Sequence, residues 1–325
     1  MVGGSTRLRM SSQSVKRALR ESAFFELDLK DNIGTRTKRL FEKLVDHLVK
    51  SGAPADKARE AAEKVAAIFG KLESPKKDED KRVATTLAFI SPDEWRLAEE
   101  LAEKIVSGED LPKDKDLKKL VLRRADGAVD IAMFGRMLAD DADFNRDAAV
   151  QVGHAITTHT AQPEEDWYSA VDDLNKAEDT GAGHLGETAF GSGVYYQYVC
   201  VNVDLLIENL DGDRGLAAKG VEALARALAQ TAPRGKQNSF AHHPRAHYVL
   251  AEKGEKAPRD LTGAFFAPVK TQPFLESSVT LLKKTRDDID AAYGRAWEAD
   301  CVMQVGVGGT LDDVQRFAGD AVRAA

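Results

Sequence analysis

The chain has 325 residues, 43% hydrophobic and 30% charged, which is enough apolar content for a packed core of one or two domains and too much for a wholly disordered chain. No apolar run approaches the roughly 20 residues that cross a bilayer, and no charged-then-apolar leader opens the chain, so a cytoplasmic protein is expected. A net charge of -7 argues against an indiscriminate nucleic-acid binder, because phosphate contact ordinarily needs an excess of Lys and Arg.

The charge is unevenly distributed. Residues 1–39 hold nine basic side chains (Arg7, Arg9, Lys16, Arg17, Arg20, Lys30, Arg36, Lys38, Arg39) against four acidic ones, a surplus of five that leaves a deficit of twelve for the rest. Such asymmetry suggests a local anion site on an acidic body. SSQSVKRALRESAFFE (11–26) predicts a helix capped by Ser11 or Ser12, with Val15, Leu19 and Ala23 on its buried face. From about 36 to 123 the text is helical and charge-rich, in three to five segments separated by Gly, Pro and Asp, and its Lys and Glu runs read as solvated helix faces. After Gly127 the period changes. AVDIAMF, AVQVGHAITTH, VYYQYVCVNV and CVMQVGV read as strands, with helices over 214–230, 277–297 and the C-terminal LDDVQRFAGDAVRAA. The expected class is α+β, with a sheet assembled from distant segments. Cys200 and Cys301 lie in apolar stretches without metal or redox spacing and read as buried free thiols.

The start of the first helix is unusual. Lys16 and Arg20 lie one turn apart with Arg17 beside them, and cations in the first turns oppose the helix dipole by a few tenths of a kcal/mol each, about 0.3. A bound phosphate removes the conflict by satisfying backbone N–H groups, hydroxyls and cations together. GGSTRLRM adds Arg7 and Arg9, and IGTRTK (33–38) adds Arg36 with Gly and Thr. Neither is a P-loop, since GxxxxGK[ST] is absent.

GGSTRLRMSSQSVKRALRES (3–22) resembles the GG-x-x-R-x-R-x-SSQ-x-x-KRA-x-R signature of the CasC/Cse family, within the seventh-class Cas proteins. Three further blocks fit that family in order: VDIAMFGRM (129–137), DAAVQVGHAITTH (147–159) with DWYSAVDDL (166–174), and GAGHLGETAFGSGVYYQYVCVNVDLL (181–206). The resemblance implies an RNA-recognition-motif-like (ferredoxin-like) palm over 1–39 and 126–325, a helical finger insertion over 40–125 and an extended thumb loop at about 160–195. It implies a non-catalytic guide-RNA (crRNA) backbone subunit of a type I-E CRISPR Cascade complex, acting in antiviral defence. The expected partners are crRNA, target DNA, further copies of the chain in a helical filament, and the large, small and RNA-processing endonuclease subunits.

The same resemblance carries phosphate contact onto Ser12, Gln13, Lys16, Arg17 and Arg20, and places Arg136, Met137, Trp167 and Tyr168 at the RNA. Met137 and Tyr168 are the implied wedges that kink the strand. Without it, Met137 reads as core and Tyr168 as a loop aromatic. Family members ordinarily begin with a strand and an Asn-Arg-Asp-Asp loop ahead of the GG-x-x-R block, whereas this chain starts almost at that block, so a palm lacking its first strand is expected.

The competing reading is a metal-dependent nuclease or hydrolase built on His154 and His159, or on His242, His243 and His247. His154 and His159 are five apart in strand-like text, and no HExxH pattern occurs. Asp172 and Asp173 read as a turn or cap. GAGHLG lacks the strand-loop-helix context of a dinucleotide site and reads as a thumb or hairpin loop. No cofactor is expected.

Overall fold

The computed structural model describes residues 2–73, 82–112, 114–123, 126–138, 142–170 and 184–325. Strand β1 (Arg9–Met10) leads into α1 (Ser12–Arg20), whose Ser14 N–H is capped by the Ser11 hydroxyl and whose buried stripe is Val15, Ala18 and Leu19. The single helix expected over 11–26 is broken by Ser22. Its hydroxyl accepts from the Phe25 N–H and starts α2 (Ala23–Asp28), which leaves Ala23 exposed instead of on a shared buried face.

Strand β2 (Thr35–Thr37) precedes α3 (Leu40–Lys50) and α4 (Ala55–Ala66), and β3 (Ala88–Ile90) returns antiparallel to β2 with Phe89 opposite Arg36. A Ser91–Glu94 capping box and Pro92 start α5 (Pro92–Ser107), and Gly108, at φ 80°, ends it. Helix α6 (Asp114–Val121) follows. Next comes α7 (Val129–Phe134), in text expected to be a strand. All six of its residues are buried, so neither a 2.0 nor a 3.6 period shows on a polar face, and a short buried run cannot be assigned by pattern.

Each of the next two apolar runs splits in two: β4 (Val150–Val152) and β5 (Ala155–Thr157), then, after the hairpin strands β6 (Glu164–Ala170) and β7 (His184–Phe190), β8 (Tyr195–Tyr196) and β9 (Val199–Val201). The remainder is α8 (Val203–Asn209), α9 (Arg214–Gln230), α10 (Gln237–Phe240), β10 (Tyr248–Lys253), α11 (Phe274–Tyr293), β11 (Ala299–Gln304) and α12 (Leu311–Arg323). Asp213 and Thr310 cap α9 and α12 at the starts their sequences predict. No helix among the described residues is long and apolar enough to cross a membrane. Asp172, Asp173 and the first half of GAGHLG lie outside the described residues.

The fold divides into two compact units, one of Met1–Val15, Val152–Val199 and Glu252–Asp300, the other of Lys16–Gln151, Cys200–Ala251 and Cys301–Ala325. The first holds an antiparallel sheet in the order β1-β5-β8 and the β6–β7 hairpin. Buried Ser278 on α11 donates to Thr158 at 2.8 Å. An ion network also braces this unit: Arg286 joins Glu252 and Asp300, and Arg259 joins Glu252 and Asp290. Tyr196 packs on Phe265 at 5.3 Å and its hydroxyl accepts from the Leu261 N–H at 3.0 Å.

Burial raises the Tyr196 hydroxyl to about 12, against an ordinary value of 10.0. The folded protein therefore keeps this proton where the unfolded chain has lost it, so the contribution is complete below pH 10 and disappears as pH rises towards 12. About 2–3 kcal/mol of stability should be lost across that window. Urea midpoints measured against pH should fall less steeply there in Tyr196→Phe; an unchanged slope would refute the assignment.

The second unit has its core between the helices of 40–122. Leu40, Phe41, Leu44 and Leu48 of α3 meet Ala58, Ala61, Ala62 and Val65 of α4, Ala98, Leu101 and Ala102 of α5, and Ile90 of β3, with Leu138 sealing one side. Small residues on α4 let the helices approach closely, and the charged runs of the sequence lie on the outer faces, as in the exposed Lys64–Glu60 pair.

Candidate nucleic-acid interface

In the second unit, three elements converge on one buried carboxylate. Asp130 of α7 accepts from Arg20 Nε at 2.8 Å and from the Gly34 N–H at 2.7 Å, while Arg20 also donates to the Gly34 carbonyl at 3.3 Å. The Arg20 side chain is only 11% exposed and Asp130 is fully buried. Burial pushes the Asp130 carboxyl above its ordinary value, against the opposing pull of Arg20 and the Gly34 N–H. Strand pairing sets Phe89 opposite Arg36, and both the Arg20 and Arg36 guanidiniums lie on that ring, at 4.5 and 4.3 Å from its centroid.

Two cations thus share one ring, and one of them holds the carboxylate. Desolvation and then Arg20 draw the Arg36 guanidinium below its usual value. Asp130 is committed to Arg20 and Gly34, so Arg36, which is exposed on β2, has no bonded carboxylate among the described residues. On α1, Lys16 is half-buried and Arg17 is exposed, the latter in a surface pair with Glu21 at 2.8 Å. Buried bonds thus hold Arg20, while Arg36 on the same ring has no carboxylate bond among the described residues.

A second feature of this unit is the Gly135–Leu138 loop. Gly135 has φ 80°, and a Cβ there would meet the Arg146 carbonyl at 2.9 Å, so glycine is required. Arg136 was expected at the RNA; the structure instead buries its side chain to 2% exposure. Its guanidinium donates to Glu94 at 2.5 Å and to the carbonyls of Phe89, Arg123 and Phe144 at 3.2, 3.0 and 3.1 Å. Backbone bonds between Arg136 and Arg146, and the Leu138 N–H to Asn145 Oδ1 at 2.6 Å, fix the loop on either side. Between buried Arg136 and Leu138, Met137 stands 83% exposed.

In the first unit, Arg7 likewise turns inward, donating to the Thr157 and Phe265 carbonyls at 2.6 and 2.8 Å, with its guanidinium lowered by burial. Arg9 on β1 and Gln13 are exposed; Ser12 is half-buried. The β6–β7 hairpin exposes Trp167 (71%) and Tyr168 (49%), adjacent residues that point to opposite faces. Tyr168 faces Gly186, where a Cβ would meet its ring at 2.4 Å, so the glycine gives the ring its resting place across the strand.

His159 is buried, stacks on Phe274 at 4.3 Å, takes the Val194 N–H on Nε2 at 3.1 Å and bonds the Thr160 carbonyl through Nδ1 at 2.9 Å. Both ring nitrogens are committed to the backbone. Among the described residues, no group of three or more His, Cys, Asp or Glu side chains is arranged to hold a metal ion.

The sequence matches the CT1975-like protein family over residues 1–318. The chain belongs to the CT1975-like family. This CT1975-like protein is similar to a solved chain described as "CRISPR RNA-guided surveillance complex, pre-nicking", with a TM-score of 0.84 and 28% identity over 100% of this chain and 92% of that one. A second, described as "CRISPR RNA-guided surveillance complex", shares the fold at a TM-score of 0.71 and 23% identity, with the same coverage. None of the curated proteins matches the chain. The family match and these neighbours bear out the resemblance carried by the motif blocks.

Asp130, Glu94 and Phe89, which position the CT1975-like protein's cations, were missed from the sequence. Two signals were present: an Asp inside the apolar run VDIAMF, which needs a buried partner, and the capping-box spacing of Ser91 and Glu94.

Proposed function

We propose that this chain is a backbone subunit of a type I-E Cascade complex, holding crRNA through its phosphates and leaving the bases to pair with target DNA. Sequence specificity then lies in base pairing, and the protein reads only the backbone. The observation that carries this reading is the pair of cations on the Phe89 ring, where the buried Asp130 is committed to Arg20 and leaves exposed Arg36 without a bonded carboxylate among the described residues, with Lys16 one helical turn before Arg20 on α1. In this reading 1–39 and 126–325 form the RNA-recognition-motif-like palm, 40–125 the finger, and the β6–β7 hairpin the thumb. Copies of the chain stack along the guide in the cytoplasm beside the large, small and endonuclease subunits, and the chain itself catalyses nothing.

Met137, Trp167 and Tyr168 suit unstacked bases, since an aromatic or apolar contact supplies about 1–3 kcal/mol per base. The test is binding of unrelated single-stranded RNA sequences to the purified protein across a salt series. Affinity that tolerates sequence and falls steeply with salt supports the reading; binding confined to one sequence, or RNA turnover, sinks it. Gly186→Val should mimic Tyr168→Ala by driving the Tyr168 ring off the hairpin, each weakening RNA binding by about 1–3 kcal/mol without lowering the melting temperature. A normal affinity in Gly186→Val would remove Tyr168 from the RNA path.

A further inference from the structure

Residues 223–251 contain no Asp or Glu, although 53 acidic residues in 325 would place about five in such a window. The stretch carries Arg226, Arg234, Lys236 and Arg245 with His242, His243 and His247. Among the described residues, the bonded partners of its arginines are neutral. Arg234 donates to the Glu21 carbonyl at 3.2 Å, Arg245 to Gln230 Oε1 at 2.8 Å, and Arg226 lies over the Phe24 ring at 5.0 Å. The adjoining carboxylates are already occupied, Glu21 with Arg17 and Glu222 with Arg323. Lys236 is exposed.

A half-open cleft of about 260 Å³ lies within this unit between the start of α2 and the loop, lined by Ser22, Phe24, Gln230, Arg234, Gln237 and His243. Gln237 organises one wall, donating to the His242 carbonyl at 3.1 Å and to His243 Nδ1 at 3.2 Å, which leaves the His243 proton on Nε2. Lys236 and Ala241, flanking α10, both take left-handed backbone at φ 60° and 49°. Side-chain-bearing residues hold that conformation only where the surroundings enforce it, and such strain clusters at ligand sites.

The aromatic residues here, Phe24, Phe240 and Tyr248, are all half-buried, in contrast to Trp167 and Tyr168 of the hairpin. The loop offers phosphate contacts without a stacking platform, which suits a strand whose bases are already paired. We propose that the 230–247 loop is a phosphodiester-binding surface for duplex DNA. The proposal rests on the reading of the chain as a subunit of an RNA-guided complex, whose target is a duplex before it is opened.

The test compares the full chain with Arg234→Gln/Lys236→Gly/Arg245→Gln, in which glycine keeps the positive φ and the glutamines keep hydrogen-bonding capacity. Anisotropy of a labelled duplex of arbitrary sequence and of a labelled single-stranded RNA is read from about 50 to 200 mM salt. Duplex affinity should fall tenfold or more, with the log–log salt slope reduced by about 2 to 3, while RNA affinity stays within twofold. Unchanged duplex binding overturns the proposal, as does an RNA loss with duplex binding intact, which would give the loop to the single strand. A wild-type chain that binds RNA but no duplex sinks this proposal alone; one that binds no RNA sinks the proposed function.

Discussion

Glu94→Ala should destabilise the protein by about 3–5 kcal/mol, the cost of leaving a buried guanidinium without its carboxylate. Glu94 is fully buried, bonds Arg136, accepts the Arg123 N–H at 2.9 Å and closes the capping box of α5, so three contacts are lost at once. Replacing the pair by Met at both positions should recover only part of the loss. Buried ion pairs can often be exchanged for apolar side chains, but here three main-chain carbonyls would lose the donor they share. Equilibrium urea unfolding of the two variants decides it: a loss below about 1 kcal/mol for Glu94→Ala would mean that water reaches the pair.

Lys16→Ala/Arg36→Ala should weaken RNA binding about tenfold to a hundredfold near 0.15 M salt, uniformly across sequences, and reduce the log–log salt slope by about 1.4 for two single-strand phosphate contacts. Stability should be almost unchanged, because neither side chain has a carboxylate partner among the described residues. Arg20→Ala separates binding from structure. It strips the buried Asp130 of its ion pair, so its RNA defect should come with a lower urea midpoint. If Arg20→Ala lost RNA binding at full stability, Arg20 would be a phosphate ligand and not a positioning residue. Arg17→Ala should matter least, since Glu21 already offsets its exposed charge.

Local signals in the sequence marked the elements whose ends carry capping chemistry. Helix α9 runs over the predicted 214–230, and α12 is capped by Thr310 with Asp313 three residues on. What local reading could not supply was the destination of each arginine. Arg7, Arg20 and Arg136 look like neighbours of Arg9, Lys16 and Arg36 in composition, yet their partners lie 150, 110 and 42 residues away and take them inside. The exposed position of Met137 was equally illegible from periodicity. A methionine after an apolar run reads as core, and it is the positive-φ turn at Gly135 and the buried flanking residues that push it outward.

Phe89 takes part in both features of the second unit. Its ring carries Arg20 and Arg36, and its carbonyl receives Arg136, whose neighbour is Met137. The separation between the Arg20–Arg36 pair and exposed Met137 is therefore set inside the protein, through one residue of a three-residue strand in a close-packed core. On the proposed reading each subunit acts as a ruler. The interval at which the guide is bent would be a property of this fold's interior, and the RNA would conform to it whatever its sequence.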